Sequence, residues 1–460
     1  MSRPKATPVD RAAPFALDEM FFSMTDRKAH IRSGNEVFAR VSGLEMEELL
    51  GAAHNIVRHP DMPRGVFEIF WRLLNTGRPV AAYVKNLSTD GSYYWVMAVV
   101  VPTTDGFLSV RIKPSTELFG TVRELYGELH ALEREVEAGD PRNRKPAIEA
   151  SSRRLDERLG ALGFPGYEAF MRAAFPAEVL ARQAGLREPA SSRIVAEGGD
   201  PGLRAVLGAC AETDRFLDVL VATLGEHTRI GETLSGKSEF VLDLADNVRL
   251  FSLNALLAAS RLGRDGAALG AVAQLMRQRS DQAAPVIQSA SSEIAATVEL
   301  LSDVGFRIAS AKLLTEMTMV FVAELLEQDE RSDRAVHDLG ALVDCMRREI
   351  DGVLDALVAL DRRLIALMGH VTTIDRDLAV LSTLEVNGRV EAARHPDARH
   401  VETLFKTISE QVRSARGQMT EFHAVDQLRR AQTHQHEAPA IRRHVAQIER
   451  QIGEMVPVAA

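Results

Sequence analysis

The sequence predicts an α+β head, an antiparallel sheet with short helices, followed by a long all-α antiparallel helical bundle or coiled coil. Three observations lead there. Both tryptophans and four of the five tyrosines lie before residue 127. Within that stretch the hydrophobic period changes every few residues, as it does where short strands and helices alternate. Beyond residue 200, aliphatic residues recur three and four apart through helix after helix, and helical seams of this kind are filled with aliphatic rather than aromatic side chains.

The head elements follow in order. Residues 1–19 are polar and broken by proline, and are expected to be disordered. A sheet-and-helix domain is expected over 20–115. Ala29–Arg32 reads as a short strand, Asn35–Val41 and Glu45–Leu50 as helical turns, and Val66–Asn75 as an amphipathic helix stopped near Gly77 and Pro79. Ala81–Asn86 and Tyr93–Pro102 flank Asp90-Gly91, a strong hairpin signal. A second turn, Thr104–Gly106, leads into strand Phe107–Ile112.

Residues 116–200 read as a helical linker region. Thr116–Ala138 is one helix, Gly139–Pro146 breaks it, and shorter helices with proline and glycine interruptions follow. From 201 to 450 the pattern is that of a bundle. The seam Val343, Met346, Ile350, Val353, Leu357 and Leu360 continues to Leu381 without a break. Ile287–Ile308, Val241–Leu262 and Val401–Phe422 carry shorter seams of the same spacing. On the second of these the expected seam residues are Val241, Leu244, Val248, Phe251, Ala255, Ala258 and Leu262. Such stripes need partner helices, and short connections favour antiparallel neighbours. Two turn-like breaks, Gly263–Gly266 and His395–Ala398, would be the tips of two tandem hairpins, and 451–460 a tail.

Composition narrows the function. The formal net charge of −9 argues against a protein built to bind nucleic acid. Two cysteines, Cys210 and Cys345, exclude a cysteine-rich zinc cluster or a disulfide scaffold. No apolar run approaches the ~18 residues a spanning helix needs, so no transmembrane segment is expected. With no secretory signal in the opening residues, a soluble cytoplasmic protein is expected. No kinase, cyclase or hydrolase motif appears, so an enzyme is not expected. His434 and His436 have no third ligand at metal-site spacing.

Two groups of residues carry chemistry. His54–Pro63 crowds Arg58, His59 and Asp61 beside prolines that restrict the backbone; Trp71 follows, and Lys85, Asn86, Tyr94 and Trp95 come later. Guanidinium, imidazole, amide donors and an aromatic plane can hold a charged, flat heterocycle, or they can form a salt-bridged loop packed on a core tryptophan. The second group is a repeat. Aligning Asn254 with Asn387 also aligns Ala259 with Ala392 and Arg261 with Arg394. Small residues before a turn also serve close helix packing.

The stretches Ser23–Asp26, Asn35–Gly43, Glu48–Gly51, His54–Pro63, Val84–Asn86 and Tyr94–Val96, with Phe67 and Trp71, resemble the PAS domain of bacterial Aer-type aerotaxis receptors. The resemblance spans about residues 20–115 and is densest in the sequence HNIVRHPDMP. It implies a PAS fold carrying non-covalent FAD, with heme or no cofactor in some relatives. By motif match it implies cofactor contacts at Arg58, His59, Asp61, Trp71, Asn35, Phe67 and Asn86. One departure is Val80, where the family often has a second tryptophan.

Ser252–Gly263 with Leu269–Ala273, and Asn387–Arg394 with Phe405, resemble the cytoplasmic tip of methyl-accepting chemotaxis proteins. That resemblance implies signalling-tip residues Asn254, Arg261, Asn387, Glu391, Arg394 and Phe405. It implies a chemotaxis histidine kinase, its coupling protein or other receptors as partners. Ala258 stands for the usual glutamate, Leu269 for the usual phenylalanine, and His395-Pro396 for the usual turn, so a divergent partner and weak kinase activation are expected. No paired methylation sites appear. Two hairpins in one chain could form a monomeric pseudo-dimer bundle, or the PAS head could mediate a homodimer. The expectation is therefore a redox or oxygen sensor, with a cofactor-free PAS interaction module on a helical scaffold as the alternative.

Overall fold

The computed structural model describes residues 6–195, 198–327, 332–394, 399–431 and 438–455. The chain divides into two compact units, Met1–Leu224 with Gly305–Leu354 and Glu437–Ala460, and Gly225–Val304 with Asp355–His436.

In the first unit, strands β1 (Met20–Asp26), β2 (Ile31–Gly34), β3 (Val80–Leu87), β4 (Tyr93–Pro102) and β5 (Gly106–Ile112) form one antiparallel sheet in the order β2-β1-β5-β4-β3. Helices α1 (Glu36–Ser42), α2 (Met46–Leu49) and α3 (Arg64–Leu74) lie between β2 and β3. Gly43 ends α1 at φ +68, and a Cβ there would fall on the Thr89 hydroxyl, so glycine is required both by conformation and by space. The expected hairpin joins β3 to β4, with Gly91 at φ +85 and Ser92 N donating to Asp90 Oδ1 at 2.9 Å. Strand β1 was not foreseen. It is buried almost throughout and lacks the alternation that marks a half-exposed strand. Phe21 from β1 stacks on Phe38 at 5.4 Å in the core.

Residues 6–19 are tied down, contrary to the expectation of disorder. Val9 N donates to Gly91 O and Ala13 N to Tyr93 O, and Phe15 is buried in the core. The segment continues the sheet's hydrogen bonding, which its proline content concealed.

The expected linker is part of the same unit. Helices α4 (Glu117–Glu137), α5 (Arg144–Ala161), α6 (Tyr167–Gly185), α7 (Ala190–Arg193) and α8 (Pro201–Ala222) follow the sheet. Buried carboxylates bind them to the head. Glu178 of α6 accepts from Tyr83 Oη (2.8 Å), Ser115 N (2.6 Å) and Thr116 Oγ1 (2.6 Å), capping the start of α4. Arg182 of α6 donates to Leu17 O (3.0 Å) and to Glu316 (2.7 Å); Lys312, one residue-turn before Glu316, donates to Asp214 of α8 (2.6 Å) and pairs with Asp218. Buried ions are tolerated because each has a partner.

The remaining helices are α9 (Leu224–Arg261), α10 (Ala267–Glu327), α11 (Asp333–Ala392), α12 (Arg399–Ala431) and α13 (Ala438–Met455). The bundle expected over 201–450 is divided. Helices α8 and α13 pack together in the first unit, with Gly305–Glu327 of α10 and Asp333–Leu354 of α11. The second unit holds four helical segments, from α9, the first part of α10, the last part of α11, and α12. Its seams are those expected on α10, α11 and α12, where Ile294, Leu367 and Phe405 are buried with their heptad neighbours. On α9 the seam is displaced, with Ser252, Ala255 and Ala259 buried and Phe251 and Ala258 only half-buried; the side chains of Val241, Leu244 and Val248 lie outside the described ones. Arg363 of α11 donates to Glu293 of α10 at 3.0 Å. The first tip turn, Gly263–Gly266, is a 3-10 turn. The second, His395–Ala398, lies outside the described residues, as do His434, His436 and residues 456–460 of the expected tail. No described helix is long and apolar enough to cross a membrane.

Candidate functional site

The head encloses a cavity of about 560 Å³ between the sheet, α3 and α5, within the range that takes a cofactor-sized ligand. Its position follows from the fold. Helix α3 presents Phe67, Phe70 and Trp71 to the concave sheet face, where β3–β5 place Asn86, Ala98 and Ser109. Small residues on the sheet leave the space, and Trp71 meets Phe107 edge-on at 5.5 Å, giving the cavity an aromatic wall.

Its polar equipment centres on Arg111, a residue that sequence reasoning missed. Arg111 is 6% exposed. Its Nη1 donates to Ser23 Oγ and its Nη2 to His54 Nε2, both at 2.9 Å. An arginine only donates, so His54 Nε2 is the acceptor and the ring proton sits on Nδ1. Burial and the Arg111 charge lower the His54 pKa to about 3, so the ring is neutral at pH 7. Burial lowers that of Arg111 to about 10, leaving it cationic. Among the described residues no carboxylate pairs with it; the rings of Phe21 and Phe38 lie 5.5 and 5.8 Å from the guanidinium carbon. A buried charge held only by neutral groups is costly, and it suits an anionic or electron-rich ligand atom.

Two further groups are unfinished. Ser109 Oγ is buried without a hydrogen-bond partner among the described residues. Asn86 is 3% exposed, lines the cavity, and its carboxamide makes no hydrogen bond among the described residues. Both fit a ligand that presents donors and acceptors.

The seven expected contact residues divide. Arg58, Phe67, Trp71 and Asn86 line the cavity. Arg58 lies 4.0 Å over the Phe67 ring and donates to Met62 O, and burial lowers its pKa to about 10. His59, Asp61 and Asn35 do not line it. The buried His59 ring accepts from Asp61 N (3.1 Å), and Asp61 pairs with Lys85 at 2.8 Å, so these residues shape the loop. Asn35 joins separate elements instead: its Oδ1 accepts from Phe22 N, and its Nδ2 donates to Glu324 at 2.9 Å. Val80 pairs with Val100 at the start of β3 and is not a lining residue. The signal for Arg111 was faint: one arginine amid the hydrophobic strand Gly106–Ile112.

Of the expected signalling-tip residues, Arg261, Asn387 and Arg394 are exposed and Asn254 and Glu391 half-buried. Phe405 is placed differently from these. It is fully buried against Gly388, where a Cβ would lie 2.4 Å from its ring. It packs between α11 and α12. Cys210 and Cys345 are buried thiols, with burial pushing the latter up to about 11.

Comparison with known proteins converges on the head. Residues 32–108 match the PAS fold family. The aerotaxis receptor of Escherichia coli (strain K12) is 39% identical over 123 residues, 26% of this chain and 24% of that receptor. The chain thus spans about a quarter of the relative's length. The head is a PAS domain of the aerotaxis-receptor type, followed by a long helical region.

Proposed function

We propose that this chain is a signal-transduction sensor whose PAS head holds FAD, reports redox state or oxygen, and passes the signal to a chemotaxis-like helical output. The observation that carries this is Arg111: among the described residues, a buried cation without a carboxylate partner, with unpartnered Ser109 and with Asn86 lining the same cavity, which has an aromatic wall. A flavin supplies reversible electron uptake, with negative charge growing on its pyrimidine side on reduction. Arg111 is a fixed positive charge that favours such growth, and neutral His54 holds its guanidinium in place without cancelling it. Trp71 and Phe67 offer stacking surface, and Asn86 and Ser109 offer hydrogen bonds.

The output side rests on covalent continuity and on resemblance. Helices α10 and α11 each contribute residues to both units, so the chain itself connects the two. The exposed tip residues Arg261, Asn387 and Arg394 suit a chemotaxis kinase, its coupling protein or another receptor as partner. The Escherichia coli relative is an aerotaxis receptor, which supports the same class of stimulus. No catalytic step is assigned to the chain.

The test is to produce the full-length protein in cells supplied with riboflavin, then release and identify any bound flavin by chromatography. FAD at close to one per chain is the expected result. Colourless protein that takes up no added FAD contradicts the proposal, and then favours the cofactor-free interaction module.

A further inference from the structure

The cavity has a wall that the PAS match does not contain. Arg144 and Ile148 of α5 line it, although the family match ends at residue 108. Helix α5 is held there closely. A Cβ at Gly65 of α3 would lie 2.6 Å from Ser151 Oγ and 3.0 Å from the Ser152 backbone nitrogen, so the helices touch at that glycine. Ser152 Oγ donates to Glu68 at 3.3 Å. Glu133 of α4 accepts from Arg64 N and Gly65 N at the start of α3.

The charged side chains that line the cavity are mostly basic. Lys28, Arg58, Arg64, Arg111 and Arg144 line it, against the single carboxylate Glu68. Arg64 and Arg144 stand near enough to oppose the charge on Arg58, and the buried Glu133 carboxylate favours it. Arg64 is committed to Glu137 at 3.0 Å. Arg144 is exposed and forms no ion pair among the described residues. An open guanidinium beside another guanidinium, on the rim of a cavity, is the arrangement that recognises a phosphate or diphosphate.

We propose that Arg144 is a ligand-contact residue that, with Arg58, holds the diphosphate of a dinucleotide. Helix α5 thereby selects FAD over flavins that lack the adenylate, and the ligand clamps α5 against the head. This deepens the flavin proposal and rests on it for the ring, but the diphosphate site can be tested without a flavin.

The experiment titrates the full-length apoprotein with FAD, riboflavin and ADP, in wild type and Arg144→Gln. Hydrogen exchange of the α5 amides is followed in parallel. The expected result is a roughly 5- to 20-fold loss of FAD and ADP affinity in Arg144→Gln, the scale of one charge-assisted contact, with riboflavin affinity unchanged. FAD should also slow exchange in α5 of the wild type, and riboflavin should not. Arg144 is exposed and unpaired, so the variant should melt like the wild type. Equal loss of all three ligands, or no loss of FAD or ADP, overturns the assignment while leaving the flavin proposal standing. Wild type that binds ADP in an Arg144-dependent way but no flavin upholds the diphosphate site and defeats the flavin proposal. Binding of neither FAD nor ADP defeats both.

Discussion

Glu133→Ala should unfasten α3 from a position 68 residues away in sequence. Helix α3 has no cap of its own, because Pro63 precedes it and offers no side-chain acceptor. The Glu133 carboxylate takes that role, accepting from Arg64 N at 2.9 Å and Gly65 N at 2.8 Å while only 3% exposed. A hydrogen bond to a charged group is worth about 1.5 kcal/mol. Two such bonds, with about 0.5 kcal/mol from the helix dipole, give a loss of about 3.5 kcal/mol. Glu133→Gln keeps one acceptor oxygen and should lose about half. Glu137→Gln removes only the partly exposed pair with Arg64 and should cost about 1 kcal/mol or less. The assay is urea unfolding read by tryptophan fluorescence, which reports on the head because Trp71 sits on α3 and Trp95 against Phe119 of α4. With a slope of about 2 kcal/mol per M, the Glu133→Ala midpoint should fall by roughly 1.5–2 M. A midpoint no lower than that of Glu137→Gln would refute the capping argument.

Two further outcomes follow from buried contacts. Burial raises the Glu324 pKa from 4.5 to about 7, although the Asn35 amide works against the rise. A carboxyl with a raised folded pKa contributes stability that is full at or below its unfolded pKa and lost as pH rises through 7. Glu324→Gln lacks that dependence, so its stability relative to wild type should rise by roughly 2–3 kcal/mol between pH 4.5 and 8; parallel pH curves in the same urea assay would count against it. In the second unit, Gly388→Ala should gain about 1 kcal/mol of helix propensity. It nevertheless places a Cβ 2.4 Å from the buried Phe405 ring. A net loss of about 1–2 kcal/mol is expected from overpacking, seen as a lower melting temperature by circular dichroism, and a higher one would mean that the ring yields.

Local signals were legible where one element's own sequence decides its structure. Asp90-Gly91 marked its hairpin, and unbroken heptads marked the seams of α10, α11 and α12. What escaped was set by distant partners. Strand β1 is buried on both faces and has no period to read. The α4–α6 region looked like a linker because its anchors, Glu133 and Glu178, are single acidic residues whose targets lie elsewhere in the chain. The cavity was half legible. Of the residues named by resemblance, Arg58, Phe67, Trp71 and Asn86 line the cavity, while His59, Asp61 and Asn35 hydrogen-bond around it. Arg111 and Arg144 carried no motif, and only the fold brings them to one wall.

Arg111→Met separates burial of Arg111 for a ligand from burial for the fold. Methionine fills the space without a charge, and Ser23 Oγ keeps its 3.1 Å contact with His54 Nε2. Apoprotein at least as stable as wild type is expected, because an uncompensated buried charge is removed, together with a loss of FAD affinity of at least roughly tenfold, the worth of one charge-assisted contact. Apoprotein that is strongly destabilised while FAD affinity stays at the wild-type value would contradict burial for a ligand.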